Sequence, residues 1–239
     1  SNPTINNSVI TINSSDNGGG IYCGGSSPSI TDCTITGNYS TTYGGGIYCE
    51  DQSSPSITDC MISENTTYFS GGGIHCHGSN PTITGCSISG NSTNIYGFGG
   101  GIYCNASNPI ITDCLINSNS SDAGGGINCY ISDATISYCT ITENTATSFG
   151  GGIFSEDQSN PTITNCTISE NTTGWRGGGI SCYSSNPTLI NSAITNNVGE
   201  GVFAEINANA SLEYCDVYNN SGGDFGGSTI DPDLGVIIG

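Results

Sequence analysis

The chain has 239 residues with one arginine, no lysine and twenty acidic residues, so its formal net charge is −19. Neutralising phosphate groups requires lysine and arginine, so this balance excludes nucleic acid and an anionic membrane surface as partners. No run of 18 apolar residues occurs, and we therefore expect no membrane insertion.

A unit of 23 to 28 residues is repeated nine times. In each copy an aliphatic residue lies three positions before an anchor residue, a second aliphatic lies two positions after it, and an asparagine lies five positions after it. This spacing and the β-branched residues predict short strands, and a period of this length is typical of one coil of a solenoid. The anchors are Ser8, Cys33, Cys60, Cys86, Cys114, Cys139, Cys166, Ser192 and Cys215.

A glycine triplet follows the asparagine in most copies, and a strand of the pattern Ile-x-Cys follows the glycines, as in Gly44 to Cys49. Glycine suits a sharp corner at which successive coils approach closely, because it has no Cβ atom. We therefore expect an all-β fold, a parallel β-solenoid of about nine coils with isoleucine and cysteine inside. Residues 1–239 are predicted to form one domain, with repeat coils over 1–220 and a closing segment over 221–239.

The residue between the two inward positions of the Ile-x-Cys strand should face outward. Aromatic residues dominate this position, and an exposed aromatic stripe along a rod marks an interaction site. One hypothesis is binding to a sibling rod or to a surface glycan; the alternative is aromatic stacking that rigidifies the sheet. The predicted stripe consists of Tyr22, Tyr48, His75, Tyr103, Phe154 and Phe203.

Thirteen cysteines indicate a secreted protein, and their spacing does not favour a zinc site. Two disulfide registers are open, and the alternative is a stack of reduced cysteines that act as small inward hydrophobes. One register runs from Cys23 with Cys33 to Cys129 with Cys139. In the other register, Ser192 and Ala204 stand at the positions of one pair, so both cysteines of that pair are replaced together, which favours this register. It pairs Cys33 with Cys49, Cys60 with Cys76, Cys86 with Cys104, Cys114 with Cys129 and Cys166 with Cys182.

Two acidic pairs, Glu50-Asp51 and Glu156-Asp157, follow the Ile-x-Cys strand. Calcium prefers oxygen-rich loops of this kind, which makes the four residues candidate calcium ligands. The favoured interpretation is a solvated loop, because no known calcium-loop pattern is present. No other cofactor is expected.

Four glycosylation sequons lie away from the repeated asparagine, and they are the better acceptor candidates if the source glycosylates its proteins. Their asparagines are Asn6, Asn105, Asn165 and Asn209.

The alternation of GGGI with IxxN, as in Gly44 to Ile47 and Ile35 to Asn38, resembles the GGAI and FxxN repeats of polymorphic outer-membrane proteins. More broadly it is similar to right-handed parallel β-helix repeat proteins on microbial surfaces. The resemblance implies a right-handed parallel β-helix and an extracellular or cell-surface location. The aromatic residue of FxxN is isoleucine or valine here.

No catalytic cluster is evident in the repeat frame, because Arg176 lies in a loop with no acidic residue nearby in that frame and both histidines occupy one segment. We therefore predict a chain that is not an enzyme: an extracellular structural or adhesive surface protein. Self-association end to end into filaments or a sheath would use the apolar tail residues Leu234, Val236, Ile237 and Ile238. The alternatives are an ice- or glycan-binding solenoid, suggested by outward rows such as Ser29 and Thr31, and a polysaccharide-active enzyme.

Overall fold

Four parallel sheets run along the molecule, and each strand pairs with the equivalent strand of the next coil. The computed structural model describes residues 2–205, 207–227, 230–232 and 237–238. Over these residues every regular element is a strand, and no helix there is long and apolar enough to cross a membrane. The predicted all-β parallel solenoid of about nine coils is confirmed.

Each coil contributes its strands in the order A, B, C, D. Sheet A contains Thr4–Asn6, Ser29–Thr31, Ser56–Thr58, Thr82–Thr84, Ile110–Thr112, Thr135–Ser137, Thr162–Thr164, Thr188–Ile190, Ala210–Glu213 and Ile230–Pro232. Sheet B contains Val9–Thr11, Thr34–Thr36, Met61–Ser63, Ser87–Ser89, Leu115–Asn117, Thr140–Thr142, Thr167–Ser169, Ala193–Thr195, Asp216–Tyr218 and Ile237–Ile238. Sheet C contains Ser14–Asn17, Tyr39–Tyr43, Thr66–Thr67, Ser92–Thr93, Ser120–Ala123, Thr145–Phe149 and Thr172–Thr173. Sheet D contains Ile21–Gly24, Ile47–Glu50, Ile74–His77, Ile102–Asn105, Ile127–Tyr130, Ile153–Glu156, Ile180–Tyr183, Val202–Ala204 and Phe225–Gly227.

Stacked isoleucines form the core. In sheet A, Ile30 pairs with Ile57, and Ile57 pairs with Ile83, with all three side chains fully buried. The flanking serine and threonine residues point outward because side chains alternate along a strand. Burying one isoleucine side chain contributes about 1.5–3 kcal/mol, so the repeated rows supply the main stabilising term.

A row of asparagines fills the corner between sheets B and C. In each step the backbone N–H and the side-chain Nδ2 of one asparagine both donate to the Oδ1 of the next, as from Asn119 to Asn144 at 3.0 and 2.9 Å. The second Nδ2 hydrogen is donated to an isoleucine carbonyl oxygen, in this case Ile88 at 2.9 Å. The asparagine therefore satisfies buried backbone groups that no strand pairing could reach.

All thirteen cysteines are free and buried. They stack in two rows, one at the start of sheet B, where the backbone N–H of Cys60 lies 3.5 Å from the Cys86 sulfur, and one in sheet D, where Cys76 pairs with Cys49 and Cys104. Cys33, for example, donates its thiol to the Thr31 carbonyl oxygen at 3.2 Å, while its backbone N–H lies 3.4 Å from the Cys60 sulfur. Neither predicted disulfide register is present. The cysteines instead form the stack of reduced, inward side chains that was the alternative to disulfides. The ten cysteines named for the favoured register are Cys33, Cys60, Cys86, Cys114 and Cys166 in the first row and Cys49, Cys76, Cys104, Cys129 and Cys182 in the second.

The glycine triplets form the corner between sheets C and D, as predicted. A Cβ atom on Gly125, the middle residue of one triplet, would lie 2.5 Å from the carbonyl oxygen of Gly151 in the next coil. Its neighbour Gly124 has φ +65°, a conformation that costs other residues energy. Glycine at these corners is what allows consecutive coils to stack.

The tail proposed for end-to-end assembly lies partly within the described residues. Ile237 and Ile238 pair with Asp216 and Val217 of the same chain, so this strand extends its own sheet B. Leu234 and Val236 lie outside the described residues. Self-association stays a prediction.

Candidate functional site

The outward residues of sheet D form one continuous row, which we call the floor. They are paired coil by coil, Tyr48 with His75 and His75 with Tyr103, for example. The prediction of a single aromatic row is thus correct in register, but only Tyr22 is exposed, at 52%. The row contains Tyr22, Tyr48, His75, Tyr103, Asn128, Phe154, Ser181 and Phe203.

A second aromatic row covers most of the floor, and this is why the predicted stripe is not exposed. These residues lie just before the glycine corners, at or beyond the ends of the sheet C strands. The Tyr43 ring lies 4.8 Å from the His75 ring, and the Phe149 ring lies 5.3 Å from that of Phe154. This corner row consists of Tyr43, Phe69, Phe98, Phe149 and Trp175.

A polar row borders the floor on its other side, because the residue after each inward cysteine, or after Ser155 and Ala204 in its place, also faces outward. Its members share a register along sheet D, as Tyr130 with Glu156 and Glu156 with Tyr183. We call the channel between this rim row and the corner row the aromatic groove. The rim row consists of Glu50, His77, Asn105, Tyr130, Glu156, Tyr183 and Glu205.

The groove widens into a first cavity of about 440 Å³ around His75. Burial lowers the pKa of His75 to about 3, so its ring is neutral, and Nδ1 lies 3.2 Å from the Ser70 carbonyl oxygen. Both oxygens of Glu50 accept hydrogen bonds from tyrosines, Oε1 from Tyr22 and Oε2 from Tyr48 at 2.8 Å. Here Glu50 orders the aromatic floor.

A second cavity, of about 410 Å³, lies further along the groove. Trp175 and Tyr183 line it and are 62% and 45% exposed. The same cavity is lined by three carboxyl groups, those of Asp122, Glu156 and Glu205. An open aromatic surface therefore lies beside acidic groups in a space large enough for a small ligand.

The carboxyl group of Glu156 has a raised pKa. Burial raises the pKa of its carboxyl from 4.5 to about 7, against the opposing effect of a hydrogen bond that Asn128 Nδ2 donates to Oε1 at 3.2 Å. The negative charge of Asp157 adds to the rise. A substantial fraction of Glu156 therefore carries a proton at neutral pH, as a proton donor requires.

The predicted calcium ligands do not come together as a metal centre. Glu50 and Asp51 lie four coils from Glu156 and Asp157 along sheet D. Among the described residues no group of three or more histidine, cysteine, aspartate or glutamate side chains could hold a metal ion.

Arg176 has an acidic partner that the repeat frame did not reveal. Its Nη1 lies 2.9 Å from Oε1 of Glu200 in the following coil, and Glu200 Oε2 also accepts the backbone N–H of Gly177. The guanidinium lies 5.0 Å from the centre of the Phe203 ring. The expectation of an isolated arginine is wrong, because coil stacking brings together residues that are distant in sequence.

The remaining candidate residues lie outside the second cavity. Asn6 and Asn209 are exposed, whereas Asn105 and Asn165 are half-buried; glycosylation stays a prediction. The outward threonine row of sheet A is interrupted by Ile110, which pairs with Thr82 and Thr135. Ser29 and Thr31 belong to this interrupted surface.

Sequence reasoning missed the joint position of Asp122, Glu156 and Glu205. From the sequence, Glu156 is a candidate only as a calcium ligand. Aligning the residue after each Ile-x-Cys position would have placed Glu156 and Glu205 in one outward row. No sequence signal marks the burial of Glu156, whose neighbours in the adjacent coils of sheet D are Tyr130 and Tyr183.

Comparisons with known proteins agree with this architecture. The sequence model described as the right-handed beta helix region matches residues 19–175 and 148–231. The crystal structure of a double mutant of the periplasmic alginate epimerase AlgG superposes with a TM-score of 0.68 at 14% sequence identity, covering 100% of this chain and 68% of that one. At this identity the similarity shows the fold alone. No curated protein matches the chain significantly.

These findings correct one prediction and narrow another. The expectation that the chain is not an enzyme is overturned, because the matched structure is that of an enzyme with the same fold. The broader resemblance to right-handed parallel β-helix proteins is confirmed, while the specific resemblance to polymorphic outer-membrane protein repeats stays a prediction. Because the two matched segments span most of its length, the chain belongs to the right-handed beta helix family.

Proposed function

We propose that this protein binds and processes a polysaccharide in the aromatic groove. The observation that carries the proposal is the second cavity, where the exposed rings of Trp175 and Tyr183 lie beside three carboxyl groups. Sugar rings present apolar C–H faces that pack on aromatic rings, while their hydroxyls bond to polar groups at the edge. A groove that continues over several coils suits a chain-like ligand better than a single small molecule.

The charge of the protein favours a neutral polysaccharide. A formal net charge of −19 repels a polyanion, and the carboxylates of a uronic acid polymer would need cationic partners. The one arginine is already paired, since Arg176 binds Glu200 at 2.9 Å. The substrate class we propose is therefore a neutral glycan.

The fold similarity to a polysaccharide-active enzyme supports this proposal at the level of architecture. Glycans of this kind are met outside the cytosol, which agrees with the predicted extracellular or cell-surface location. Binding to a surface glycan, one of the partners expected from the sequence, follows directly from the same groove.

Trp175 provides a direct test, because it is the only tryptophan and lies in the second cavity. Adding a neutral oligosaccharide should change its fluorescence in a saturable manner. Replacing Trp175 by alanine should weaken binding, measured by calorimetry, about tenfold, since aromatic contacts contribute about 0.5–1.5 kcal/mol beyond buried area.

Tyr138→Asn is the matched control for this measurement. Tyr138 is also an exposed aromatic, at 62%, but it lies at the corner between sheets A and B, where the equivalent residue of the next coil is Asn165. The control should bind like the native protein. Equal affinity of the Trp175→Ala variant, or binding of anionic polymers in preference to neutral ones, would contradict the proposal.

A further inference from the structure

We propose that Glu156 is the proton donor and Glu205 the general base of an inverting hydrolysis that cleaves a neutral polysaccharide in the second cavity. This inference rests on the proposed function of the groove and adds to it the reaction, its stereochemistry and the residues in each role. Neither residue stood out as catalytic in the sequence, and the pairing of strands in sheet D is what relates them.

The spacing of the two acids is the first argument. Glu156 pairs with Tyr183, and Cys182 pairs with Ala204, which places Glu205 in the same rim row directly beyond Tyr183. The backbone N–H of Glu205 donates to the Cys182 carbonyl oxygen at 3.0 Å, as this register requires. Two strand spacings therefore separate the acids, or about 9.6 Å between their backbones.

This separation favours an inverting mechanism over a retaining one. Inverting glycosidases hold their two carboxyl groups about 6.5–9.5 Å apart, because a water molecule must fit between the base and the sugar, whereas retaining enzymes need about 5–5.5 Å. Two side chains that rise from backbones about 9.6 Å apart reach the first range with a small inclination toward each other. Adjacent coils, about 4.8 Å apart, would instead suit a retaining pair.

The surroundings of Glu156 suit a proton donor, and the position of Glu205 suits a general base. Asn128 is fully buried and donates to Glu156 Oε1 at 3.2 Å, which fixes one oxygen of this carboxyl on the groove floor. Burial raises the pKa of Glu156 to about 7, so it holds a proton for donation near neutral pH. Glu205 directly follows the sheet D strand Val202–Ala204 and lines the same cavity.

Asp122 is the other acid of the cavity and is less suited to act on water. Its Oδ1 already accepts hydrogen bonds from the hydroxyls of Thr147 and Ser148, the latter at 2.7 Å. It belongs to the sheet C side of the groove, opposite the rim row. Its hydrogen bonds hold the end of the sheet C strand Thr145–Phe149.

The reaction is a hydrolysis with water from solvent as the co-reactant. Glu156 gives its proton to the glycosidic oxygen, the bond from that oxygen to the anomeric carbon breaks, and its electron pair stays with the departing sugar. Water attacks the anomeric carbon from the opposite face, and Glu205 accepts the proton that the water loses. The products are two shorter chains with one water added, and exchange with solvent removes the proton from Glu205 and returns one to Glu156.

The test uses the full chain with four soluble neutral polysaccharides: a mixed-linkage glucan, a xylan, a galactomannan and a galactan. We expect new reducing ends from at least one of them, and proton NMR should show the inverted anomer as the first product. Replacing either Glu156 or Glu205 by glutamine should lower the rate by about 100- to 10,000-fold. Affinity measured through Trp175 fluorescence should change little, which also shows that the variants are folded.

A glycosyl fluoride separates the two roles, because fluoride departs without receiving a proton from the enzyme. With the fluoride of the sugar that is cleaved, Glu156→Gln should keep most of the native rate, whereas Glu205→Gln should remain inactive. Glu143→Gln, an exposed acid outside the groove, is the control and should behave as native.

Each alternative outcome contradicts a defined part of the account. Binding without hydrolysis of any of the four polymers would overturn this inference and leave the proposed binding function standing. No binding to any of them would overturn the proposed function itself. A retained anomer, or unchanged rates in both glutamine variants, would refute the assignment of Glu156 and Glu205.

Discussion

Replacing Gly125 by alanine is expected to lower the free energy of unfolding by about 3 kcal/mol or more, the upper range for overpacking a well-packed interior. The added Cβ would lie 2.5 Å from the Gly151 carbonyl oxygen and 2.6 Å from that of Thr145, both in the following coil. Since these are backbone atoms, no side chain can move aside, and the coils must separate. Urea denaturation followed by circular dichroism measures the loss.

Gly78→Ala is the matched control for this substitution. Gly78 has φ +56°, but a Cβ there meets no atom within 4 Å. The equivalent residue of the next coil is Ala106, with φ +49°, so the chain already accepts alanine in this conformation. The control should cost only about 1 kcal/mol. Equal losses in both variants would show that close stacking at the glycine corner is not what holds the coils together.

Glu156→Gln should change how stability depends on pH. Below pH 4.5 the carboxyl is protonated in both folded and unfolded chains, and between pH 4.5 and about 7 the folded chain keeps a proton that the unfolded chain has lost, because burial raises the folded pKa to about 7. The native protein therefore loses stability as pH rises through this window, by up to about 3 kcal/mol. Glutamine cannot ionise, so the variant avoids this loss. We take the difference in free energy of unfolding between the variant and the native protein. This difference should be up to about 3 kcal/mol more favourable to the variant at pH 8 than at pH 4.

Other ionisable groups face Glu156. They are present in both the native protein and the Glu156→Gln variant, so their contribution to the pH dependence of stability is common to both and is removed by comparing the two profiles. Asp157 follows it in the chain, Tyr130 and Tyr183 flank it in sheet D, and Asp122 and Glu205 line the same cavity. Glu143→Gln removes one exposed charge elsewhere and should leave the shape of the pH profile unchanged. Parallel profiles for the native protein and Glu156→Gln would contradict the buried position of this carboxyl.

Much of the fold could be predicted because its determinants repeat in every coil. Ile57 is inward because side chains alternate along a strand, and Gly125 occupies a corner where each coil has the same close contact. A buried asparagine such as Asn144 recurs because each copy bonds to the next. Properties that depend only on position within the repeat can be read from one sequence.

The site could be predicted only in part, because it depends on contacts between residues that differ from coil to coil. The register of Tyr48, His75 and Tyr103 was predictable, but their burial under the rings of Tyr43 and Phe98 was not. The burial of Glu156 and the ion pair of Arg176 with Glu200 likewise arise from neighbouring coils. The prediction of a non-enzyme rested on the absence of acids close to the arginine in the repeat frame, and the similarity of fold to an enzyme contradicts it.

The most direct test of the proposed function is a crystal structure of the protein with a bound neutral oligosaccharide. The account predicts sugar rings in the second cavity, with one ring stacked on Trp175 and a glycosidic oxygen within hydrogen-bonding distance of Glu156. An oligosaccharide bound on the outer faces of sheets A and B, with the groove empty at saturating concentration, would contradict it.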